Sequence, residues 1–301
     1  MSSSAVDQSN RRSRFQPTPR SSYLRLGERD VRLLTALSRY RYLSSASLHQ
    51  LLGGSATTLK WRLRELFDAG LLSRPAWQWE LANAMHTPAI YELSARGRKR
   101  LEELGLVLTA RALASTGTRH FWHTALVCEL MAAVEVDIQM SAELTLITEQ
   151  EILARLDAKD GDHLSPRALR VGSRFVIPDA LFGIRSPRGV VLYALEFDRG
   201  AEPITRKGPG STYRDKFDLY RALIGTGAYQ RLLSTPAPLV VLHCTTSEAR
   251  VRSMMKLAHG QHYHLFRAMP QIAMLPTAKV SLDRIMDGAW QYPDGLLFTL
   301  R

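Results

Sequence analysis

Two neighbouring apolar segments of this 301-residue chain carry carboxylates, and this feature constrains the fold more than any other. The first segment, VIPDALFGI, contains Asp179, and the second, ALEFDRGAEPI, contains Glu196 and Asp198. Both segments are short and apolar, which is typical of buried β-strands. An ionised carboxylate is costly to bury unless a positive charge compensates it. The two segments therefore predict a metal site, the remnant of one, or acids at strand ends that pair with nearby arginines.

The composition indicates a folded chain that is long enough for two domains, since 45% of its residues are hydrophobic. Residues 1–22 are the exception: they are mainly Ser, Arg, Gln and Pro, and we expect a mobile, disordered basic tail. No segment approaches the run of about 18 apolar residues that a membrane span needs, so no membrane partner is expected. Cys128 and Cys244 both lie in apolar segments, which favours buried free thiols and a cytoplasmic location.

Positive charge is concentrated at the N-terminal end of the chain. Residues 1–100 contain 17 Lys and Arg against 7 Asp and Glu, a net of +10 out of +12 for the whole chain. Residues 101–301 therefore carry a net of only +2. A basic end joined to a near-neutral body indicates a polyanion-binding module attached to a second domain, although a solvated basic face that aids solubility would have the same composition.

Three helical patterns open the segment 23–110. The third, in SATTLKWRLRELFDAGLL, has apolar residues at i, i+4, i+7 and i+8, beginning at Leu59, and these form one buried stripe. The opposite side of this helix and its flanks present polar, basic and aromatic side chains. They are Thr57, Thr58, Lys60, Trp61, Arg62 and Arg64.

Two strands are predicted next, at Trp77–Leu81 and Ala89–Leu93, with a helix from about Ala95. The passage AGLLSRP…IYELSARGRKRLEELG resembles the helix-to-wing passage of winged-helix domains, relatives of the helix-turn-helix. The resemblance implies that the third helix enters the DNA major groove with the six residues named above. Winged helices also serve as protein-interaction modules, but the positive charge favours DNA. The phosphate contacts after the wing would come from Arg96, Arg98 and Lys99.

The segment 118–301 follows the order α-β-β-β-α-β-α. A helix begins near His120, a strand lies in AELTLITEQEI, and a polar loop covers RLDAKDGDHLSPRALRVGSR before the two acid-bearing strands. The helix GSTYRDKFDLYRALIGTG, the strand PLVVLHC and the helix TSEARVRSMMKLAHG follow. This order predicts a mixed sheet with helices on its faces.

This order, with these acids, resembles the core of the PD-(D/E)xK nuclease fold, named for restriction endonucleases. The resemblance implies that Asp179 and Glu196 hold Mg²⁺ or Mn²⁺, with Asp198 or Glu202 assisting. Two carboxylates and a phosphate suffice for Mg²⁺, which prefers hard oxygen ligands and keeps several waters. The chain departs from the pattern in one respect, because Asp198 stands where the motif has its lysine.

A lysine elsewhere in the chain could take the place of the missing one. Lys216 lies on one helix face with Tyr213, Phe217 and Tyr220, at i, i+3, i+4 and i+7, so it is predicted to point towards the sheet. Lys207, in the loop RKGPGS, is the second candidate. Tyr213 and Tyr220 could act as nucleophiles in a covalent nicking reaction, but their spacing favours core packing.

The longer pattern IPDALF…YALEFDRGAEPI…YRDKFDLY…LVVLHCTTSEAR resembles the replication-relaxation family of plasmid and mobile-element proteins, over most of residues 28–295. His123 matches the histidine that opens the first core helix of that family. The resemblance implies an α+β, two-domain protein with a winged helix at 23–110 and a nuclease-like mixed sheet at 118–301. It also implies double-stranded DNA as a partner, at an origin of transfer or replication, together with other mobilisation or replication proteins.

Two functions remain open from the sequence. In the first, the protein is a metal-dependent, relaxase-like nicking nuclease in which Lys216 stabilises charge on the phosphate and His123 orients the site. In the second, it is a non-catalytic DNA-binding accessory factor, or a transcription or copy-control regulator, with a degenerate nuclease fold. The missing lysine favours the second function, and the clustered acids favour the first. The sequence leaves the oligomeric state open.

Overall fold

The computed structural model describes residues 14–18, 24–80, 86–106, 118–154, 167–200, 204, 212–270 and 285–300. The chain forms two compact units, Met1–Ala112 and Leu113–Arg301. Within the described residues, no helix is both long enough and apolar enough to cross a membrane.

The first unit combines short helices with a small antiparallel sheet. Its helices are α1 (Glu28–Tyr40), α2 (Ser45–Leu52), α3 (Ala56–Asp68) and α4 (Ala95–Glu103). Its strands are β1 (Leu43–Ser44), β2 (Leu72–Ser73) and β3 (Ile90–Leu93), in the order β1-β3-β2. A serine caps each of α2, α3 and α4, because its side chain accepts the backbone N–H three residues later. The apolar stripe predicted for α3 is buried in the core of this unit.

The prediction of a strand at Trp77–Leu81 is wrong for the described residues of that segment, because Ala76–Glu80 forms a 3₁₀ helix. The buried side chain of Gln78 explains the difference. Its amide nitrogen donates to the carbonyl of Ile90 at 2.9 Å, and its amide oxygen accepts the N–H of Ile90 at 2.8 Å. Gln78 thereby satisfies the backbone groups of β3 that a further strand would pair with. The predicted strand at Ala89–Leu93 is confirmed as β3.

Part of the predicted N-terminal tail is in contact with the first unit. Phe15 packs edge-on against Trp79, with ring centroids 4.9 Å apart, and the N–H of Thr18 donates to Asp68 at 2.8 Å. Residues 1–13 and 19–22 of that tail lie outside the described residues.

The second unit is built on a mixed seven-stranded sheet flanked by helices, as the sequence predicts. Its helices are α5 (Thr118–Gln139), α6 (Glu149–Leu153), α7 (Tyr213–Gly225), α8 (Ala228–Leu232) and α9 (Glu248–Leu257). Its strands are β4 (Thr145–Ile147), β5 (Leu169–Val171), β6 (Arg174–Val176), β7 (Ala180–Ser186), β8 (Gly189–Asp198), β9 (Leu239–Thr245), β10 (His264–Ala268), β11 (Trp290–Gln291) and β12 (Leu297–Phe298). The sheet order is β12-β11-β10-β9-β8-β7-β4, in which β9 runs parallel to β8 and β10 and the other pairs are antiparallel.

The prediction of a polar loop before the acid-bearing strands is wrong from Leu169 onwards. Strands β5 and β6 form a separate two-stranded hairpin there, in which Leu169 pairs with Val176. Both side chains are buried in one core cluster with Tyr220 and Leu223 of α7. This burial explains why so polar a segment adopts strand structure, since only one face of the hairpin needs to be apolar. Residues 155–166 of the predicted loop lie outside the described residues.

Candidate functional site

Asp179 lies directly before β7 and faces β8. Its backbone N–H donates to the carbonyl of Leu195 at 2.9 Å, and Ala180 pairs with Leu195 in the antiparallel register. The antiparallel register begins at Ala180, so Asp179 lies at its edge, close enough to Glu196 for its charge to act on that carboxyl group. The sheet therefore brings together the two acids that the sequence pattern singles out.

The carboxylate of Asp179 is held at both oxygens. His123 of α5 lies with its Nε2 2.8 Å from Oδ1, and the N–H of Phe197 donates to Oδ2 at 2.8 Å. Burial opposes ionisation of Asp179, but the hydrogen bond and charge of His123 and the charge of Lys216 outweigh it, so the pKa of Asp179 is lowered. Burial likewise disfavours the charged form of His123, but the hydrogen bond and charge of Asp179 outweigh it and raise the pKa of His123.

Glu196 is completely buried near the end of β8, and α7 supplies both of its partners. The Nζ of Lys216 donates to Oε2 at 2.9 Å, and the hydroxyl of Tyr220 donates to Oε1 at 2.7 Å. Burial raises the pKa of Glu196, and the charge of Asp179 adds to this effect while Lys216 and Tyr220 oppose it. Lys216 therefore points towards the sheet, as its place among the aromatic residues of α7 predicts.

The hydroxyl of Tyr220 serves as a donor to Glu196. Its pKa lies well above the ordinary value, first because the ring is buried and then because Glu196 lies beside it. Tyr213, the other tyrosine considered as a nucleophile, is also buried. Both residues contribute to packing in this arrangement.

Asp198 follows Glu196 by two positions but has different partners. Its carboxylate accepts a hydrogen bond from Nε of Arg250 in α9, and also accepts the N–H of Gly200 at 2.9 Å. The ring of Tyr213 links this pair to the rest of the site. The Nζ of Lys216 lies 5.0 Å and the Cζ of Arg250 lies 5.7 Å from its ring centroid.

The structure thus brings together His123 of α5, Glu196 of β8 and Lys216 of α7 with Asp179, which directly precedes β7. Glu202 and Lys207 lie outside the described residues. No set of three or more His, Cys, Asp and Glu side chains that could hold a metal ion occurs in the described part of the chain. A metal ion here would therefore have two carboxylate ligands from the protein and would take its other ligands from water or substrate.

In the first unit, the residues predicted to face DNA fall into two groups. Thr57, Thr58, Lys60 and Trp61 are exposed on α3, and Trp61 retains 58% of its accessible surface. After β3, Arg96 and Lys99 are exposed, and Arg98 is half-buried.

Arg62 and Arg64 form the second group, because they are engaged in ion pairs within the first unit. Arg62 donates to both oxygens of Asp30, at 2.8 and 2.6 Å, and Arg64 pairs with Asp68 at 2.8 Å. These ion pairs connect α3 to α1 and to itself. They give the two arginines a structural role that the sequence pattern does not indicate.

Sequence reasoning did not find two parts of the second unit's polar network. Arg250 comes from a helix 52 residues after Asp198, and nothing in its local sequence indicates an ion pair with β8. His243 is paired with Glu196 in the parallel β8–β9 register, and its Nε2 lies 2.9 Å from Nδ1 of His264, with both rings buried. Tyr220, which the sequence pattern places on the helix face of Lys216 and assigns to core packing, also donates to Glu196.

The fold and site define an α+β protein with two neighbouring acids at the sheet, one in contact with a histidine and the other with a lysine. The family model described as replication-relaxation matches residues 34–234, and the chain belongs to this family. Membership indicates a role in replication or mobilisation of DNA. No curated protein and no solved structure matches the chain significantly.

Proposed function

We propose that the protein is a metal-dependent DNA-nicking nuclease of replication or mobilisation that binds double-stranded DNA through its first unit. The arrangement of Asp179, Glu196 and Lys216 carries the proposal. Two neighbouring acids, one directly before β7 and one in β8, with a lysine 2.9 Å from the second, support a comparison with the acid, acid and lysine of the PD-(D/E)xK pattern. The lysine comes from α7 instead of from the position that Asp198 occupies.

The donor set is compatible with one Mg²⁺ or Mn²⁺ ion. Asp179 and Glu196 are hard oxygen donors, and each carboxylate oxygen that now accepts one hydrogen bond retains a second lone pair. Mg²⁺ is commonly held by one or two carboxylates, several waters and substrate phosphate oxygens. Bound between these acids, the ion would supply Lewis-acid polarisation of the phosphate. The side chain of Asp179 is 23% exposed, which gives the pair an opening to solvent.

The protein's own groups have distinct tasks in this proposal. Lys216 opposes the rise in the pKa of Glu196 that burial causes, and it stabilises negative charge that develops on the phosphate. His123 fixes the orientation of Asp179 and can carry a proton beside it. Tyr220 fixes the second oxygen of Glu196 and remains protonated, so we assign the attack to water and not to a tyrosine.

We propose that the first unit is a winged helix and that α3 enters the major groove. Its first three helices, the small antiparallel sheet and the long β2–β3 connection support this assignment. Lys60, Trp61 and the neighbouring threonines form the exposed face of α3, while Arg96, Arg98 and Lys99 follow the sheet and supply phosphate contacts. Because Arg62 and Arg64 are paired with acids, they position the helix for this contact.

One observation favours the alternative, a non-catalytic DNA-binding accessory factor or regulator. Glu196 has no exposed surface and both of its oxygens already accept hydrogen bonds, while Asp198 is paired with Arg250. Each acid is thus neutralised within the protein, as expected where an ancestral metal site has become part of the core.

The experiment that separates the two functions is a nicking assay on supercoiled plasmid that carries the DNA flanking the protein's own gene. Nicking by wild type should require Mg²⁺ or Mn²⁺ and should be abolished by Asp179→Asn and by Glu196→Gln. Asp218→Asn is the matched control, since Asp218 is an exposed acid of α7 that pairs with Arg221. Duplex binding without nicking would establish the accessory factor instead.

A further inference from the structure

The hairpin β5–β6 presents an exposed face next to the candidate site that the proposed reaction does not use. Arg170 and Phe175 are opposite each other in the register and therefore lie on one face, which Ile177 extends by two residues. All three are exposed, Phe175 at 36% and Ile177 at 39%. The face thus combines a guanidinium, an aromatic ring and a branched aliphatic side chain.

This hairpin is fixed in place at its inner face and at its base. Leu169 and Val176 on the inner face belong to the core cluster beneath α7 and α8. At the base, Arg167 donates to the carbonyl oxygens of Pro178 and Asp179 and forms an ion pair with Glu149 at 3.3 Å. The base of the hairpin is therefore fixed to the backbone of Asp179.

The chemistry of the hairpin fits a nucleic acid strand. Residues 167–178 contain three arginines and no acid. Arg167 and Arg174 pair with Glu149 and Asp215 outside the segment, and Arg170 gives the outer face the positive charge that attracts a polyanion. Ile177 is two residues from Asp179, which limits the separation of their Cα atoms to about 7 Å. An exposed ring beside arginines matches the way proteins bind unpaired bases, by stacking on aromatic side chains while cations follow the backbone. Paired bases offer no free face for such stacking.

We propose that the outer face of the β5–β6 hairpin is a platform on which unpaired bases of the DNA strand stack beside Asp179. The inference rests on the proposed DNA substrate and adds that the strand at the site is locally single-stranded. Phe175 supplies the stacking surface, Ile177 packs against the neighbouring base or sugar, and Arg170 contacts a phosphate. The platform would hold the strand in register with the acids of the site.

The test is fluorescence anisotropy of a labelled single-stranded oligonucleotide, and of the same sequence as a duplex, with full-length protein and no divalent metal. Because base stacking contributes about 1–3 kcal/mol, Phe175→Ala should weaken single-strand binding at least about fivefold. Phe175→Leu should also weaken single-strand binding, because it removes the ring although it keeps an apolar side chain. Phe175→Trp should retain single-strand binding, because it keeps an aromatic ring. Duplex affinity should be unchanged, and Leu297→Ala is the control at a more exposed apolar residue outside the hairpin.

Four results would overturn the platform. The first three are wild-type single-strand affinity in Phe175→Leu, an equal loss of duplex and single-strand affinity in Phe175→Ala, and no single-strand binding by wild type. A fourth is a dimer that Phe175→Ala dissociates in sedimentation without any change in DNA affinity, which would make the patch a self-association surface. The plasmid assay reports separately on the nuclease. A protein that shows the stacking effect but never nicks would keep the platform and lose the proposed reaction.

Discussion

Both units of the protein contain buried acids close to cations, but the two clusters are built differently. In the first unit, two nitrogens of the Arg62 guanidinium, Nε and Nη2, donate to the two oxygens of Asp30. The charge of an arginine is permanent. In the second unit, Asp179 and Glu196 lie near each other, and single contacts from a histidine, a lysine and a tyrosine hold them.

The difference is consistent with a structural role for the first cluster and supports the chemical role that we propose for the second. The pKa of Asp179 is lowered and that of Glu196 is raised, although they lie side by side on one sheet. Neighbouring groups whose pKa values are shifted in opposite directions are typical of functional sites. The bidentate pair of Arg62 with Asp30 fixes α3 against α1 instead.

The largest expected effect is on activity in the second unit. Lys216→Met should lower the nicking rate by about 10²–10³-fold, the cost of removing one donor to a developing negative charge. The free energy of unfolding of this variant should fall little, because Glu196, whose pKa is already raised, can take up a proton and keep its hydrogen bond with Tyr220. Plasmid nicking and urea unfolding should be measured on the same preparation, with Lys216→Arg as the variant that keeps the charge. Unchanged nicking in Lys216→Met would remove the lysine from the site.

The next largest effect is on stability in the first unit. Arg62→Met should lower the free energy of unfolding of this unit by about 2–3 kcal/mol, because it leaves Asp30 largely buried without its ion pair. Urea unfolding measures the loss. Arg100→Met is the control, since Arg100 pairs with Glu103 at an exposed site and should change stability by no more than about 0.5 kcal/mol. Equal effects of the two variants would contradict a structural role for the Asp30 pair.

A smaller effect concerns acid stability of the second unit. Burial and the charge of Arg221 lower the pKa of His264 from 6.5 to about 3, so between these values the unfolded chain binds more protons than the folded chain. The stability that the neutral ring provides is present above pH 6.5 and is lost as the pH falls, by about 1.4 kcal/mol per pH unit. Urea unfolding of wild type and His264→Phe at several pH values should show a shallower acid slope in the variant. Identical slopes would mean that folding does not lower the pKa of His264.

The smallest effect distinguishes two residues of α3. Lys60 is exposed and Arg62 is held by Asp30. Lys60→Ala should reduce the slope of log affinity against log salt for duplex DNA by about one, as expected for the loss of one phosphate contact, and should leave unfolding unchanged. A wild-type affinity that does not respond to salt would argue against DNA binding by the first unit.

Periodicity and polarity were enough to predict α3, α5, α7, β3, β8, β9 and the mixed sheet, because each has an apolar pattern of its own. They failed where a single contact decides the local structure. Gln78 satisfies the backbone of Ile90 and replaces a strand with a 3₁₀ helix, and the burial of Leu169 and Val176 turns a polar segment into a hairpin. No pattern in the sequence marks either contact.

For the site, spacing on α7 was enough to predict that Lys216 points to the sheet, and adjacent strands were enough to bring the two acids together. The partners of Asp198 depend on a helix that follows after a long stretch of chain, so local spacing could not reveal Arg250. The same holds for Arg62, whose basic character indicates a DNA contact until its partner Asp30 on α1 is known.

The most direct test of the central claim is a Mn²⁺ titration followed by electron paramagnetic resonance, in the presence of DNA that the protein binds. Bound Mn²⁺ loses the signal of the free ion, so the measurement reports occupancy without requiring cleavage. The acids of the second unit predict one bound ion in wild type and in Asp218→Asn, and none in the double variant Asp179→Asn/Glu196→Gln. Equal Mn²⁺ binding in all three proteins would contradict a metal site at this pair and would leave the two acids as structural residues.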